Sequence, residues 1–361
     1  MITHIALSLI IGGLIPLTYA CANDSTWVEV DNVVYGAKPD QRGPIGGGAA
    51  YANIFTSGDY TVEDLDDLIK ALSRSKIGDV VFIPGETEID LTSRILIEQI
   101  ILEVPEGVTL AGDRGYNGSK GALVRSDVLN TPVMISATGP NVRITGLRIQ
   151  GPNSKRYSDH HSRAFGLGGK GKEYYYKFPN SHGIQTEFSH LEVDNCDISS
   201  FSHAGIYLIK GNDHHIHHNF IHHCQYMGLG YGICLNKSFS IIEYNLFNWN
   251  RHSIAGVGVP GCSYVSRHNI QGEVSSSHCF DMHGGIDRGD GTTIAGTSIE
   301  IYNNSFWSIE RSVSIRGIPQ EKCEIHHNWF RAHRSIIQAV KGFDRKETNN
   351  NVYGKIPIVK K

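Results

Sequence analysis

The sequence lacks a strong charge of either sign, since 33 Lys and Arg residues stand against 36 Asp and Glu, which gives a formal net charge of −3. A net charge this small does not favour a nucleic acid as the partner, because the phosphate backbone is bound by clearly basic surfaces. The seven cysteines form no Cys-x-x-Cys pair and no His/Cys zinc spacing, so the sequence gives no indication of a structural zinc site.

Sustained helical periodicity is missing as well, and the clearest apolar run is confined to residues 1–22. This run has the length of an export signal and ends in Ala20-Cys21-Ala22, a small-residue cleavage pattern. It is too short and too close to the terminus for a membrane span, so we predict no transmembrane segment. We expect a secreted or periplasmic protein with a cleaved signal peptide over residues 1–22, and lipidation of Cys21 is the alternative.

Six cysteines remain after this cleavage. An oxidising compartment permits disulfides, but a chain of this length has a core large enough not to need them. We therefore expect buried single thiols at Cys196, Cys224, Cys234, Cys262, Cys279 and Cys323.

Asparagine recurs at nearly constant intervals in the second half of the chain. The positions are Asn219, Asn245, Asn269, Asn304, Asn328 and Asn351, separated by 26, 24, 35, 24 and 23 residues. Such a period indicates one supersecondary unit stacked on copies of itself. Each unit consists of short β-branched runs broken by Gly and Asn, which is typical of strands and turns. The predicted fold is an all-β, single-domain parallel β-helix whose asparagine side chains stack at a turn.

The remaining segments are assigned around this solenoid. Residues 23–78 are predicted to form an N-terminal segment with a capping helix from Thr61 to Leu72, with Thr61 as the N-cap. The β-helix is predicted over residues 79–355, followed by a tail over residues 356–361, and its early strand material lies in residues 79–84, 95–104, 108–110, 133–135 and 142–149.

Two loop insertions are expected in the β-helix. Residues 152–182 are rich in Lys, Arg, His and Tyr, which suits a flap over an anionic or sugar ligand. Residues 283–296 account for the coil between Asn269 and Asn304, which is about eleven residues longer than its neighbours.

Counting from each asparagine predicts which side chains point inward and which point outward. The eleventh and thirteenth residues after each Asn are apolar or Gly and are predicted to point inward. The twelfth residue then points outward, a row formed by Tyr207, Tyr231, Val257, Asp281, Arg316 and Val340. The seventh residue gives a second outward row with Tyr226, His252 and Arg311, and Arg334 stands one position short of it. His278 falls in an inward position, so we expect it to be buried.

The C-terminal coils contain Ile325-His-His-Asn-Trp-Phe330, Arg334 and Asn350-Asn-Val-Tyr353. With these residues they resemble the pectate-lyase-like superfamily of right-handed parallel β-helices. It implies an extended polysaccharide substrate, often a uronic-acid polymer, lying along the stacked strands. The family's Arg-x-Pro-x-x-Arg element has Ile336 and Ala339 in place of its Pro and second Arg, so its catalytic residues are not carried over to this chain.

The residue types on the outward rows suit a polysaccharide lyase. β-Elimination from a uronate needs a cation or Arg for the carboxylate, a base for the C5 proton and an acid for the leaving oxygen. We predict that His252 or Tyr231 transfers the proton and that Arg311 and Arg316 bind the carboxylate. Asp281 with His283 is predicted to orient a partner or a cation. Substrate contacts are predicted for Tyr207, Tyr226, Arg251 and Arg334.

Alternatives to this lyase remain open at the sequence level. A calcium ion is a candidate ligand of Asp281, Asp287 and Asp290, the last two in a Gly-rich loop. The same residues permit a glycoside hydrolase, in which Asp281 and either Asp287 or Asp290 flank the scissile bond. A non-catalytic carbohydrate-binding solenoid and a sugar epimerase are the other candidates.

Overall fold

The computed structural model describes residues 25–342 and 346–355. The predicted signal peptide and the tail over residues 356–361 lie outside the described residues. Within the described chain, three strands make up each regular coil, and strands of successive coils pair in parallel. The predicted parallel β-helix is therefore confirmed. No helix in residues 25–342 or 346–355 has the length and apolar character needed to cross a membrane.

We call the three stacks of parallel strands the front, second and third sheets. The front sheet contains Leu102–Val104, Ile135–Ala137, His182–Thr186, the first halves of Ala204–His217 and Tyr231–Glu243, His252–Gly256, Phe280–Met282, Val313–Ile315 and Val340–Gly342. The second sheet contains Tyr60–Thr61, Val80–Phe82, Thr109–Ala111, Arg143–Thr145, Glu192–Asp194, the second halves of the two long strands, Ser263–Arg267, Ser298–Tyr302, Lys322–His326 and Glu347–Asn349. The third sheet contains Glu88–Asp90, Leu123–Arg125, Arg148–Gln150, Asp197–Ser199, Phe220–His222, Leu246–Asn248, Ile270–Gln271, Ser305–Phe306, Trp329–Phe330 and Val352–Tyr353.

Apolar columns along the inside of the coils form the core. In the front sheet one such column consists of Ile184, Ile206, Ile233, Ile254, Phe280, Val313 and Val340, each paired with the next and each buried. Removing apolar area from water is the main favourable contribution to folding, so this uninterrupted column fixes the register of successive coils. Side chains next to it in sequence alternate toward the outer face.

The asparagine ladder stabilises the turn between the second and third sheets. Each side-chain oxygen accepts a hydrogen bond from the side-chain amide of the preceding ladder residue, from Asn219 to Asn351, at 3.0–3.1 Å. The backbone N–H of the preceding Asn donates to the same oxygen at 2.9–3.0 Å. At the N-terminal end of the ladder, Cys196 rather than Asn195 donates to Asn219, at 2.9 Å. The predicted role of the asparagines is confirmed, but a count that starts from Asn195 is one residue out of register.

An irregular N-terminal segment precedes the coils. It opens with an antiparallel pair, Trp27–Val30 and Val33–Gly36, and residues 37–52 then cross the outer edge of the second sheet. Arg42 forms an ion pair with Glu243 at 2.6 Å, and the Tyr51 hydroxyl donates to Asp194 at 2.9 Å. The segment is therefore fastened to coils that lie about 150–200 positions away in sequence.

Helices occupy positions between the strands. Helix α1 spans Leu65–Arg74, α2 Thr92–Glu98, α3 Ser158–Phe165, α4 Gly171–Tyr175, α5 Gly285–Arg288 and α6 Ile336–Ala339, and a 3₁₀ turn spans Tyr116–Gly118. The buried face of α1, formed by Leu68, Ala71 and Leu72, joins the core of the first coils.

Two local predictions were wrong. The N-cap of α1 is Asp64, whose carboxylate accepts from the N–H of Asp67, and not Thr61, which lies in a strand of the second sheet. The residues predicted as a strand over 95–104 begin in α2, which Gln99 ends in the left-handed conformation. Leu96 and Ile97 are exposed on this helix, so the apolar run does not bury alternate side chains as a strand would.

The six cysteines that follow the predicted signal peptide are all free and buried. This agrees with the prediction of single thiols. Burial raises the pKa of these thiols, for example to about 12 for Cys224 and Cys262, so they stay protonated at neutral pH.

Candidate functional site

The outer face of the front sheet carries a cluster of ionisable side chains around Asp281. Asp281 lies on the strand Phe280–Met282, between two inward-facing core residues, and its side chain points to the outer face. It pairs with Ala255 of one neighbouring coil and with Ser314 of the other. These small neighbours leave room above the carboxylate, which is filled by side chains from the adjacent rows. The Asp281 side chain is 0% exposed as a result.

Arg316 neutralises the Asp281 carboxylate. Its Nε and Nη2 donate to the two carboxylate oxygens at 3.0 and 2.6 Å, a bidentate contact. Burial alone would raise the pKa of Asp281, but His278 and His283 beside it hold the pKa well below its ordinary value. Asp281 is therefore an anion, as a buried carboxylate with charged and polar partners should be. The Arg316 Nη1 atom also donates to Asp287 at 3.1 Å, so two acids share one guanidinium.

Three histidine side chains converge on the same carboxylate. The Nε2 atoms of His278 and His283 lie 3.0 and 2.9 Å from its two oxygens, and Nε2 of His252 lies 4.0 Å away. All three Nε2 atoms are buried, and none makes a hydrogen bond of acceptable geometry with a described residue. We call Asp281, His252, His278 and His283 the Asp281 cluster. The His278 and His283 side chains keep 19% and 24% exposure, so they form its solvent-facing edge.

His252 forms the buried floor of the cluster. Its side chain is 0% exposed, and its ring stacks on that of His278 with centroids 4.0 Å apart. Its Nδ1 lies 2.5 Å from the carbonyl oxygen of His278, and because a carbonyl only accepts, Nδ1 carries the proton. Burial lowers the pKa of His252 well below its ordinary value, and the charge of Arg251 lowers it further. The neutral ring therefore presents its Nε2 lone pair to Asp281.

Tyr231 extends the cluster into the preceding coil. It pairs directly with His252, stacks on that ring at 5.8 Å and meets the ring of His283 edge-on at 6.4 Å. Burial raises the pKa of Tyr231 above its ordinary value, so the phenol stays protonated at neutral pH.

Two arginines at the rim differ from Arg316 in their partners. Arg251 donates to the carbonyl of Leu229 at 3.1 Å, and its guanidinium lies 5.9 Å from the centre of the Tyr231 ring. Arg311 donates to the carbonyl of Ile337 at 3.2 Å. Neither forms an ion pair with any acid among the described residues. They lie on either side of the Asp281 cluster, two coils or about 10 Å apart along the stack.

The insertion over residues 152–182 forms one wall of the site. Its helices α3 and α4 bring Ala164 and Tyr175 into an apolar cluster with Tyr226, Leu229 and Tyr231 of the coils. The Tyr175 hydroxyl donates to the carbonyl of Met227. The insertion is thus packed next to Tyr231.

The long coil after His283 forms the opposite wall. Helix α5 begins two residues after His283, and Gly284 lies so close to the next coil that a Cβ there would be 1.9 Å from the carbonyl oxygen of Arg316. Because glycine allows this close approach, the backbone that follows His283 lies directly against the backbone at Arg316. Arg288 donates to the carbonyls of Val257 and His283, which fixes the loop to the front sheet.

The structure corrects the predicted outward row. Tyr231 pairs with His252 and not with Asp281, whose neighbours in the row are Ala255 and Ser314, and Val340 is an inward core residue. Arg316 lies two positions beyond Ser314 and reaches back to Asp281 across the coils. The prediction that His278 points inward was wrong, because its ring lies on the outer face against Asp281.

The remaining predicted substrate residues lie at different distances from the cluster. Tyr226 packs under the insertion with Phe178, and Tyr207 packs against His203 and His182, two coils before His252. Arg334 is exposed in the bend before α6. His182 and His203 were not among the predicted residues, although their rings lie 4.2 Å apart and continue the row of Tyr231 and His252 toward the N-terminus. The alternation of aromatic and His residues at the starts of these strands was the available signal.

The three carboxylates proposed for calcium do not form a common ligand group within the described residues. Asp290 accepts hydrogen bonds from Thr292 and Arg288 inside its own loop. Asp287 accepts from the N–H of Gly284 and shares Arg316 with Asp281. The carboxylate that does stand with further potential ligands is Asp281, and those ligands are histidines.

One comparison with known proteins supports the fold. A family model described as a right-handed beta helix region matches residues 124–269. The chain is also similar to the crystal structure titled Dettilon tailspike protein (gp208), at 11% sequence identity and a TM-score of 0.33, over 80% of this chain and 64% of that chain. The chain thus spans less than two thirds of the tailspike chain. The comparison with curated proteins gives no match. The family match and the strand pairing identify a right-handed parallel β-helix.

Proposed function

We propose that the protein is a secreted polysaccharide lyase that cleaves a uronic-acid-containing polysaccharide by β-elimination at the outer face of the front sheet. The observation that carries this proposal is the pair of partly buried arginines, Arg251 and Arg311, that have no acidic partner among the described residues and flank the Asp281 cluster. A cation without an acidic partner at the edge of a site is suited to an anionic ligand.

The spacing of the two arginines favours a polymer over a small anion. They lie two coils apart, about 10 Å along the axis, and one sugar residue spans roughly one strand spacing. A chain of uronate residues lying along the stack can therefore place one carboxylate near each arginine. Arg316 is less suited to this role than predicted, because Asp281 and Asp287 already neutralise its charge.

The proton-transfer roles in the proposal fall to His283 and Tyr231. His283 is the better base than His252, because His252 is fully buried and does not reach a ligand, whereas His283 is partly exposed and its Nε2 lies 2.9 Å from Asp281. With Nε2 directed at the carboxylate, Nδ1 of His283 is available to take the C5 proton. Tyr231 keeps its proton at neutral pH and is positioned to give it to the leaving oxygen. Asp281 and His252 act as positioning residues.

The carboxyl groups of the site do not favour hydrolysis. A glycoside hydrolase needs one carboxylic acid that stays protonated near neutral pH. Burial alone would raise the pKa of Asp281, but its neighbours hold it well below its ordinary value, and hydrogen bonds from Thr292 lower the pKa of Asp290 to about 2. Asp287, the third candidate, is hydrogen-bonded to Arg316.

The lyase is tested by incubating the purified protein with a panel of uronate polysaccharides and following the ultraviolet absorbance of the unsaturated product. We expect at least one polyuronate to give this chromophore. The variants Arg251→Gln and Arg311→Gln should each reduce kcat/KM on that substrate about 10- to 100-fold, the contribution of a hydrogen bond to a charged group.

The matched control is Arg74→Gln, in the last turn of α1, which should leave kcat/KM unchanged. New reducing ends without the chromophore would show a hydrolase, and binding without any cleavage would show a carbohydrate-binding protein. Either result would replace the lyase proposal.

A further inference from the structure

We propose that the Asp281 cluster is a binding site for a divalent transition metal of the Zn²⁺ type, held by His252 Nε2, His278 Nε2 and a carboxylate oxygen of Asp281. One potential ligand atom from each of these residues lies within 4.8 Å of the other two. The site does not depend on the lyase proposal, because it follows from the side chains alone and binding is measured without any sugar.

The proton of His252 lies on Nδ1, which leaves a buried Nε2 facing Asp281. Because Nδ1 donates to the carbonyl of His278, Nε2 is a bare lone pair. It points at a carboxylate 4.0 Å away, with both groups 0% exposed. Two lone pairs that face each other in a buried site repel, and a buried acceptor without a donor is costly. A cation between the two atoms removes this repulsion.

The distances between the potential ligand atoms suit a tetrahedral metal site. Metal–ligand bonds of about 2.0–2.2 Å in a tetrahedral site place the ligand atoms roughly 3.3 Å apart. The observed separations from Asp281 oxygens, 3.0 Å for His278 Nε2 and 4.0 Å for His252 Nε2, lie on either side of this value. The rings come from adjacent coils and are stacked, so a small rotation of either ring adjusts its Nε2.

The surroundings resemble those of a metal ligand. A histidine that binds metal usually donates its other ring N–H to a carbonyl or carboxylate, which fixes the ring, and His252 does so through Nδ1. Arg316 occupies two of the roughly four lone-pair sites of the Asp281 carboxylate, so others remain for a metal. Two imidazoles and one carboxylate favour Zn²⁺, Co²⁺ or Mn²⁺ over Ca²⁺, which prefers six or more oxygens. Three protein ligands leave a fourth position open.

Two other groups of His and Glu residues in the chain provide the contrast. In the group Glu192, His215 and His217, Nε2 of His217 is hydrogen-bonded to Glu192, and Nε2 of His215 to Glu243. In the group Glu300, Glu324 and His326, Lys322 lies 2.9 and 3.1 Å from the two carboxylates. Charge and hydrogen bonds already satisfy these groups, whereas the Nε2 atoms of the Asp281 cluster have no such partner within the described residues.

The test is the binding of Zn²⁺ or Co²⁺ to full-length protein that has been treated with a chelator and dialysed. Isothermal titration should give one tight equivalent, Co²⁺ should show the visible spectrum of mixed nitrogen and oxygen ligation, and Ca²⁺ should not compete at equal concentration. His278→Asn and His252→Gln should each weaken binding on the order of 100-fold or more, since even residues behind the ligands contribute 10- to 100-fold. His278→Asn is the milder change, because that side chain is partly exposed.

The matched controls are His215→Gln and His326→Gln, one in each of the other two groups, and both should bind like the wild-type protein. Circular dichroism and thermal melting in chelator confirm that each variant is folded. The proposal is overturned if the wild-type protein binds no Zn²⁺ or Co²⁺, if His278→Asn binds as tightly as the wild type, or if the control variants lose the site instead. Because no substrate is present, each of these results leaves the lyase assay to be decided separately.

Discussion

The outer faces of the front and second sheets carry the same kinds of side chain, but they differ in how those side chains are satisfied. On the second sheet, Glu243 accepts from Arg42, Arg267 and His215 at 2.6–2.8 Å, and the N-terminal segment covers the row. On the front sheet, three histidine Nε2 atoms lack a hydrogen bond and two rim arginines lack an acid within the described residues.

This difference separates a structural network from a candidate site. Both faces belong to one solenoid, with the same strand spacing and one common buried core beneath them, so backbone geometry does not explain the difference. Buried polar groups are normally paired, and a group left unpaired indicates strain, a ligand or chemistry. We therefore expect substitutions on the second sheet to change stability and substitutions on the front sheet to change activity.

The largest expected effect is the loss of activity when His283 is replaced, which would distinguish the front sheet from the second sheet. The variant His283→Gln should lower kcat on the active polyuronate by roughly 10²- to 10⁴-fold, the usual contribution of a positioned base. Its melting temperature should stay close to that of the wild type, because the side chain is partly exposed and the core beneath it is untouched. Steady-state kinetics and a thermal melt check both statements.

A control for this prediction is His190→Gln, which changes an exposed histidine in the loop before the second-sheet strand Glu192–Asp194 and should alter neither quantity. If His283→Gln retained kcat within threefold, His283 would not be the base. If it lowered the melting temperature strongly, the front sheet would be no different from the second sheet.

The fold was predictable from the sequence because its determinants repeat in every coil. The ladder asparagines from Asn219 to Asn328 are buried and each is bonded to the next, and the inward residues counted from them, such as Phe280 and Ile315, do lie in the core. Both features are periodic, so one chain contains several independent copies of the same signal.

The composition of the site was only partly predictable, because the loop between the ladder and the front sheet changes in length from coil to coil. Tyr231 follows Asn219 by twelve positions, whereas its partner His252 follows Asn245 by seven. A fixed count therefore placed Tyr231 beside Asp281 and turned His278 inward. The contact of Arg316 with Asp281 joins two different rows in two different coils. A pattern of neighbouring residues in the sequence does not predict such a contact.

A smaller effect, on stability, is expected on the second sheet. Glu243→Gln removes the charge that three donors share, and the Glu243 side chain is only 4% exposed. Breaking this network leaves Arg267 and His215 without an acid, while Arg42 keeps its ion pair with Asp40 at 2.7 Å. Because these side chains are partly exposed, we expect a loss of about 2–3 kcal/mol of unfolding free energy, or roughly 5 °C in melting temperature. Activity per folded molecule should be unchanged.

The exposed ion pair between Glu187 and Lys210 provides the control, because Glu187→Gln should shift the melting temperature by less than about 1 °C. An unchanged melting temperature in Glu243→Gln, or a loss of turnover in the folded protein, would contradict the assignment of this face to stability.

The expected effect that is smallest at neutral pH concerns the edge of the second sheet, where acid lowers the stability of the protein. Burial lowers the pKa of His218 and of His268 to about 4, and both stack on Tyr244 in the turn before the ladder. A histidine with a lower pKa in the folded state is protonated first in the unfolded chain. Its stabilising contribution is therefore complete above about pH 6.5, falls as the pH drops toward 4, and is lost below that, with a slope of about 1.4 kcal/mol per pH unit for each proton.

His268→Asn should flatten this decline, because Asn does not titrate and tolerates the left-handed conformation that His268 adopts at φ 53°. The matched control is His190→Asn, another left-handed histidine, which is exposed and should leave the pH profile unchanged. Melting temperatures between pH 8 and pH 4 test the prediction. Equal slopes in the wild-type protein and in His268→Asn would mean that the acid sensitivity arises elsewhere, and a change in metal affinity or turnover in His268→Asn would show that the two faces are coupled.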